Sequence, residues 1–249
     1  MTRSSGISTE GWTALWAGAL LAAVALWLPL ASFVLSYFSV LVHEMGHALM
    51  GWIYGYPSLP AFDFVYGGGV TSHTQRAPAL ALGVQGALLG VAWVVRRNPA
   101  GLMLALGSAA LYALTAWTPL HEPLIVAMGP GAELVVSAVF LHRGLSGRTC
   151  HHRAERFAYA FLGWFVILDN LRFAHRLLTS AFQREIYAEA KGGGHWMDFS
   201  VLAEQHLHVA LEQVAALFLI LCLLAPTLAV LGNWNRRTLA AAILELRRL

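Results

Sequence analysis

Residues 31–54 read ASFVLSYFSVLVHEMGHALMGWIY, an apolar run interrupted by His43, Glu44 and His47. As a helix this stretch is about 36 Å long at 1.5 Å per residue, enough to cross the roughly 30 Å hydrocarbon layer of a bilayer. Three ionisable groups inside such a span are expensive, and groups kept there at that cost default to a functional reading. His43 and His47 are four residues apart, so one helix face carries both imidazoles, and both can ligate one metal ion. Glu44 sits one position round, where it can take a proton from water held by that metal. The stretch therefore predicts a membrane helix and a metal centre together.

The rest of the chain agrees with a membrane setting. Apolar types make up 58% of its 249 residues and charged types only 12%, about half the charged share of a soluble domain. That balance excludes a soluble globular enzyme, a disordered chain and a secreted disulfide scaffold. Alongside Ala31–Tyr54, further apolar segments run over Trp12–Leu28, Pro78–Val95, Pro99–Trp117, Pro123–Leu141, Glu155–Leu178 and His208–Leu231. The expected fold is all-α, a polytopic membrane protein of about six to seven transmembrane helices. Pro29 separates the first two. Between the second and third, Ala61–Ser72 reads AFDFVYGGGVTS, which predicts a small β-hairpin or re-entrant segment. Gly83, Gly86, Gly90, Gly101 and Gly107 suit close packing of the third and fourth helices. Residues 1–232 read as one integral membrane domain. Residues 233–249 read as an amphipathic tail, with Leu239, Ile243 and Leu246 set against Arg236, Arg247 and Arg248.

The formal net charge is +3, and the sixteen basic residues are fifteen Arg and one Lys. No basic run is interleaved with aromatics, so the bilayer is an expected partner and nucleic acid is not. Arg96 and Arg97, Arg143 to Arg156, and Arg236 to Arg248 fall on one side of a seven-helix arrangement. The positive-inside rule makes that side, and the C-terminal tail, cytoplasmic. The arginine-rich, lysine-poor composition suggests a bacterial plasma membrane. Trp12, Trp52, Trp93, Trp117 and Trp234 lie near expected helix ends, as an aromatic belt requires. Cys150 and Cys222 are far apart and read as free thiols.

A zinc site needs a third protein ligand and an open position for water. Asp169, in FVILDNLRF, is the first choice. The second and sixth helices run the same way through the bilayer. The histidine pair and Asp169 both lie about 21 Å from the same surface at 1.5 Å per residue. A competing role for Asp169 is a pair with Arg172 on the next turn. Rivals as ligand are Glu133, which can instead orient a histidine, Asp198, in GGGHWMDFSVLAE, which can fold back as a cap, and His73. His206 and His208 read as a solvated helix end, and His142, His151 and His152 as solvent-facing.

On these residues the chain resembles the site-2 protease family of intramembrane zinc metalloproteases, most closely its short members without a PDZ domain. The matching pieces are HEMGHALMGW at His43–Trp52, YGGGVTS after it, MGPGAELVVSAV at Met128–Val139 and ILDN at Ile167–Asn170, in the family's order. The resemblance implies one Zn²⁺ per chain held by His43, His47 and Asp169, with Glu44 as general base. It implies a hydrolase that cuts a peptide bond of a membrane-protein or peptide substrate, in or near the bilayer. The chain departs from the family where Glu133 replaces a frequent asparagine, where LDN ends in Asn170 rather than glycine, and where the Asn- and Pro-rich run before it is missing. Those departures keep open a non-cleaving relative that acts as a membrane scaffold or a metal-binding or transport protein. A zinc hydrolase acting on a lipid-linked peptide is a third option.

Overall fold

The computed structural model describes residues 7–63, 68–189 and 197–234. Helices α1 (Thr9–Trp27) and α2 (Pro29–Ile53) lead into strands β1 (Ser58–Phe62) and β2 (Gly69–His73). Then follow α3 (Pro78–Val94), α4 (Pro99–Ala116), α5 (His121–Ser146), α6 (Arg153–Thr179) and the short α7 (Ala181–Glu189) and α8 (Asp198–Ser200). A π-helical turn over Val201–Leu207 precedes α9 (Leu211–Trp234). The protein is an all-α, multi-pass membrane protein: α1, α2, α4, α5, α6 and α9 are each long and apolar enough to cross a bilayer. α3 is apolar as well but has only 17 residues.

Local chemistry sets the helix ends. Ser8 caps α1 by accepting the Gly11 N–H at 3.1 Å, and Asn98 caps α4 by accepting from Gly101 at 3.0 Å. Pro29, Pro78 and Pro99 open α2, α3 and α4, where a missing N–H costs nothing. Gly147 ends α5 in the left-handed region at φ +64°. The expected hairpin is present: β1 and β2 are antiparallel, with Ser58 opposite His73 and Phe62 opposite Gly69.

α5 is the hub, packed against α1, α2, α6 and α9. Small residues permit its close approaches. A Cβ on Gly46 of α2 would strike the Met128 carbonyl and lie 2.5 Å from the Ala132 Cβ. A Cβ on Gly163 of α6 would lie 3.0 Å from Leu141. These contacts substitute for a hydrophobic driving force, which lipid does not supply between helices. The glycines of α3 and α4 play no such part: a Cβ on Gly83, Gly86, Gly90 or Gly107 would meet nothing within 4 Å. The small-residue pattern was right in kind but belongs to the α2–α5–α6 contacts.

The last helix also differs from expectation. α9 starts at Leu211, because His208 adopts a left-handed conformation (φ 52°) and stops the π-helical turn before it. Asn233 and Trp234 complete α9. The remainder of the expected amphipathic tail, 235–249, lies outside the described residues, as does segment 64–67 of the hairpin loop.

Buried Arg156 ties the bundle together at one end. Its guanidinium donates to the carbonyls of Gly144 (3.0 Å) and Leu145 (2.8 Å) at the end of α5, and to Glu10 of α1 (2.9 Å). A cation here satisfies orphan carbonyls and complements the helix dipole. Arg156→Met should lower stability by about 2–4 kcal/mol, since it strands two buried carbonyls, while Glu10 keeps its second partner, Arg153, at 3.1 Å. Thermal unfolding in detergent should show a clear fall in Tm for Arg156→Met and a smaller one for Glu10→Gln. An unchanged Tm in both would show that this network is not a structural tie.

Candidate metal centre

α2 turns both histidines toward α5, and the two glycines at this crossing make room for them. Gly46 lets the backbones approach. On α5, a Cβ at Gly129 would collide with the His47 Nε2 and lie 2.6 Å from the His43 Nε2. Gly129 thus leaves open space beside the two ring nitrogens. The other nitrogen of each ring faces an acceptor. His47 donates its Nδ1–H to the Ile125 carbonyl at 2.8 Å, and His43 Nδ1 faces Glu133 Oε1 at 3.5 Å. That assignment of tautomers leaves a lone pair on each Nε2. The two Nε2 atoms are 3.1 Å apart.

A carboxylate completes the cluster. Asp198 Oδ2 lies 2.8 Å from His43 Nε2 and 3.1 Å from His47 Nε2. Asp198 is the first residue of α8, in a segment folded back onto the bundle. The Tyr187 hydroxyl accepts the Phe199 N–H at 3.1 Å. Burial raises the Tyr187 phenol above its ordinary range, so it remains neutral. Phe199 packs at a tilt on Phe173 and edge-to-face on Phe218, at centroid distances of 5.5 and 5.0 Å, over a core that includes Ala174, Leu177 and Cys222. An aromatic plug therefore fixes the carboxylate at the histidine pair.

The third acidic group at the histidines is accordingly Asp198, where the sequence had favoured Asp169. Asp169 is taken up by Arg172, with Oδ1 2.8 Å from Nη2. The depth match expected from residue counting does not by itself define a contact. Asp169 lines the same cleft but turns to Arg172, while Asn170, about 100° round α6, meets Glu133. Asn170 Nδ2 donates to Glu133 Oε2 at 2.8 Å, and Ser39 Oγ donates to Glu133 Oε1 at 3.1 Å. The structure brings Asp198, one of the rival candidates, against both histidines. Its signal in the sequence is an aspartate between Met197 and Phe199, leading directly into Val201–Ala203 in an otherwise polar loop.

Glu44 is buried (7% exposed) and lies under β2. Thr71 Oγ1 is 2.6 Å from Glu44 Oε2, and a Cβ on Gly69 would collide with the Glu44 side chain. His73, also on β2, places Nδ1 2.7 Å from Ser58 Oγ. Ser58 gives its own proton to the Tyr56 carbonyl (2.6 Å), so His73 Nδ1 is the donor in that contact. Burial and then the nearby His47 lower the His73 imidazole's pKa, with Glu44 pulling the other way. His43, Glu44, His47, Thr71, His73 and Asp198 line one cleft of about 960 Å³, together with Glu133, Asp169, Asn170, Arg172 and Arg176. His208, by contrast, is exposed and bonds only its own turn through the Glu204 carbonyl.

The donor set fits a tetrahedral divalent ion. A regular tetrahedron with bonds of about 2.0–2.1 Å has edges of about 3.3–3.4 Å. The three ligand atoms form a triangle with sides of 2.8, 3.1 and 3.1 Å, a little tighter than that face. Two imidazoles and one carboxylate are also the donor types of catalytic zinc sites, with a fourth position left for water. Among the described residues, His43, His47 and Asp198 are the trio brought close enough together for this.

Comparison with protein-family models, with curated proteins and with solved structures returns no match.

If this trio is the centre, metal analysis of protein purified without chelators should give about one divalent ion per chain. Asp198→Ala should weaken binding by more than the roughly 10–100-fold typical of changes outside the ligand set. Asp169→Asn should leave affinity within a few-fold of wild type. The reverse order of effects would restore Asp169 as the ligand.

Proposed function

We propose that the protein is an intramembrane zinc metalloendopeptidase that hydrolyses a peptide bond of a membrane-protein or peptide substrate. The observation that carries this reading is the convergence of two imidazole nitrogens and one carboxylate oxygen within 3.1 Å, with Glu44 one residue from His43 on the same cleft. Zinc in such a site supplies Lewis acidity and brings the pKa of the water it holds toward about 7.

The chain's own residues account for the remaining steps. Glu44 accepts the proton of the attacking water, and the Thr71 hydroxyl, bonded to Oε2, holds the carboxylate in place for this. After attack at the scissile carbonyl, Glu44 returns that proton to the leaving amine, so it ends as it began. The substrate must be extended here, because a helix hides its peptide groups in its own hydrogen bonds. A two-stranded sheet leaves each strand an outer edge, and an unwound segment can add to it through backbone hydrogen bonds. Gly69 and Thr71 of β2 lie against Glu44, so a peptide carried by the hairpin is delivered to the base. In keeping with the arginine distribution, we place the protein in a bacterial plasma membrane with its C-terminus cytoplasmic.

Glu44→Gln separates binding from chemistry, because it keeps all three ligands and removes the base. It should retain metal and lose about 10²–10⁴ of the cleavage rate. Mass spectrometry of membrane peptides from cells expressing wild type or Glu44→Gln should show products with the former alone. Identical peptide sets, together with metal flux into vesicles that survives Glu44→Gln, would favour a transport role.

A further inference from the structure

We infer that Glu133 and Asn170 form a positioning relay that sets His43 for metal binding, so that α6 serves the centre through α5 and contributes no ligand. This inference rests on the proposed metal centre and deepens it. Glu133 is buried (6% exposed) near the middle of α5, where an unpaired carboxylate would be costly. Each of its oxygens has partners on another helix. Oε2 accepts from Asn170 Nδ2 of α6 at 2.8 Å. Oε1 accepts from Ser39 Oγ of α2 at 3.1 Å and faces His43 Nδ1 at 3.5 Å. Asn170 is itself buried, at 8% exposed.

The relay has a direction. Asn170 must point its amide nitrogen at Glu133, since a carboxylate only accepts. Glu133 in turn is the acceptor that His43 Nδ1 faces. A proton held on Nδ1 leaves Nε2 with its lone pair directed at Asp198 Oδ2 and His47 Nε2. Metal-bound histidines commonly rely on such a carboxylate for ring orientation and basicity. Charge gives a second reason for Glu133. With both rings neutral, Asp198 and Glu133 together match the two charges of a divalent cation, and Glu44 beside them is the carboxylate left to accept a proton. His47 uses a backbone carbonyl for the same orienting contact, so only the His43 arm carries this charge.

The donor pattern also allows a swap that a merely structural role would not obey. Glu133→Gln removes the negative charge from the His43 arm, and its new N–H is accommodated only if the Asn170 amide turns to offer its oxygen. Asn170→Asp in addition supplies an acceptor for the new Gln amide and frees the Gln oxygen for Ser39 and His43. The test is zinc affinity of the purified full chain by chelator competition, with the visible spectrum of the Co²⁺-loaded protein as a second readout. Glu133→Gln is expected to weaken zinc binding about 10–100-fold and to alter the Co²⁺ bands. The double variant Glu133→Gln/Asn170→Asp is expected to recover most of the affinity and the wild-type bands. Wild-type affinity in Glu133→Gln, or no recovery in the double variant while both proteins melt as wild type does, overturns the relay. Should a variant not fold in detergent, Ser39→Ala, which removes one donor to Oε1, should shift the Co²⁺ bands with only a few-fold loss of affinity. An unchanged spectrum there counts against the relay as well. Absence of zinc from the wild type would instead defeat the metal centre on which the relay rests.

Discussion

Three lone-pair donors crowd into one point of an apolar bundle, and the surrounding structure answers that constraint. His43 Nε2, His47 Nε2 and Asp198 Oδ2 lie 2.8–3.1 Å from one another. Protons alone satisfy them poorly. A single proton serves two of the three atoms. A proton on each Nε2 makes both rings cationic with their N–H groups facing at 3.1 Å. Two unit charges about 3 Å apart repel by about 5 kcal/mol even at an effective dielectric of 20. A divalent cation in the middle turns every one of these repulsions into attraction. Gly46 and Gly129, which allow α2 and α5 to approach and leave space beside the nitrogens, then serve the same centre.

The site draws on distant parts of the chain, and each part is anchored before it reaches the centre. α2 brings the histidines and Glu44. α5 brings Gly129, the Ile125 carbonyl and Glu133. α6 brings Asn170, and the folded-back α8 brings Asp198. Stability at the far end of the bundle comes from other contacts, above all Arg156 on the end of α5. This separation means that the polar site need not hold the helices together. Its groups can be arranged for chemistry at some cost to packing, as functional sites commonly are.

Much of the fold could be read from the sequence because bilayer rules are strict. Apolar length, proline at helix starts, tryptophan near helix ends and the glycine-bearing hairpin all act locally, and local signals survive in one dimension. The histidine pair was legible for the same reason, since four residues fix one helix face. The third carboxylate was not. Matching Asp169 to the histidines by depth used one coordinate, and the choice between Asp169 and Asn170 turns on a rotation of about 100° that depth does not report. Asp198 belongs to a segment whose position depends on aromatic packing among Phe173, Tyr187, Phe199 and Phe218. Such packing is tertiary and leaves only a faint mark, apolar neighbours around an aspartate. The glycines of α3 and α4 show the converse: Gly83, Gly86, Gly90 and Gly107 suit close packing, yet they lie off the face on which Val84 and Leu88 of α3 meet Tyr112 and Ala116 of α4.

The central claim is that these three side chains bind a metal ion inside the membrane domain. X-ray absorption at the zinc edge, on protein purified without chelators, reports the ligands directly. The account predicts a first shell of four nitrogen and oxygen atoms at about 2.0–2.2 Å, with the outer-shell pattern of two imidazoles. A spectrum without imidazole scattering, or with sulfur in the shell, would contradict it.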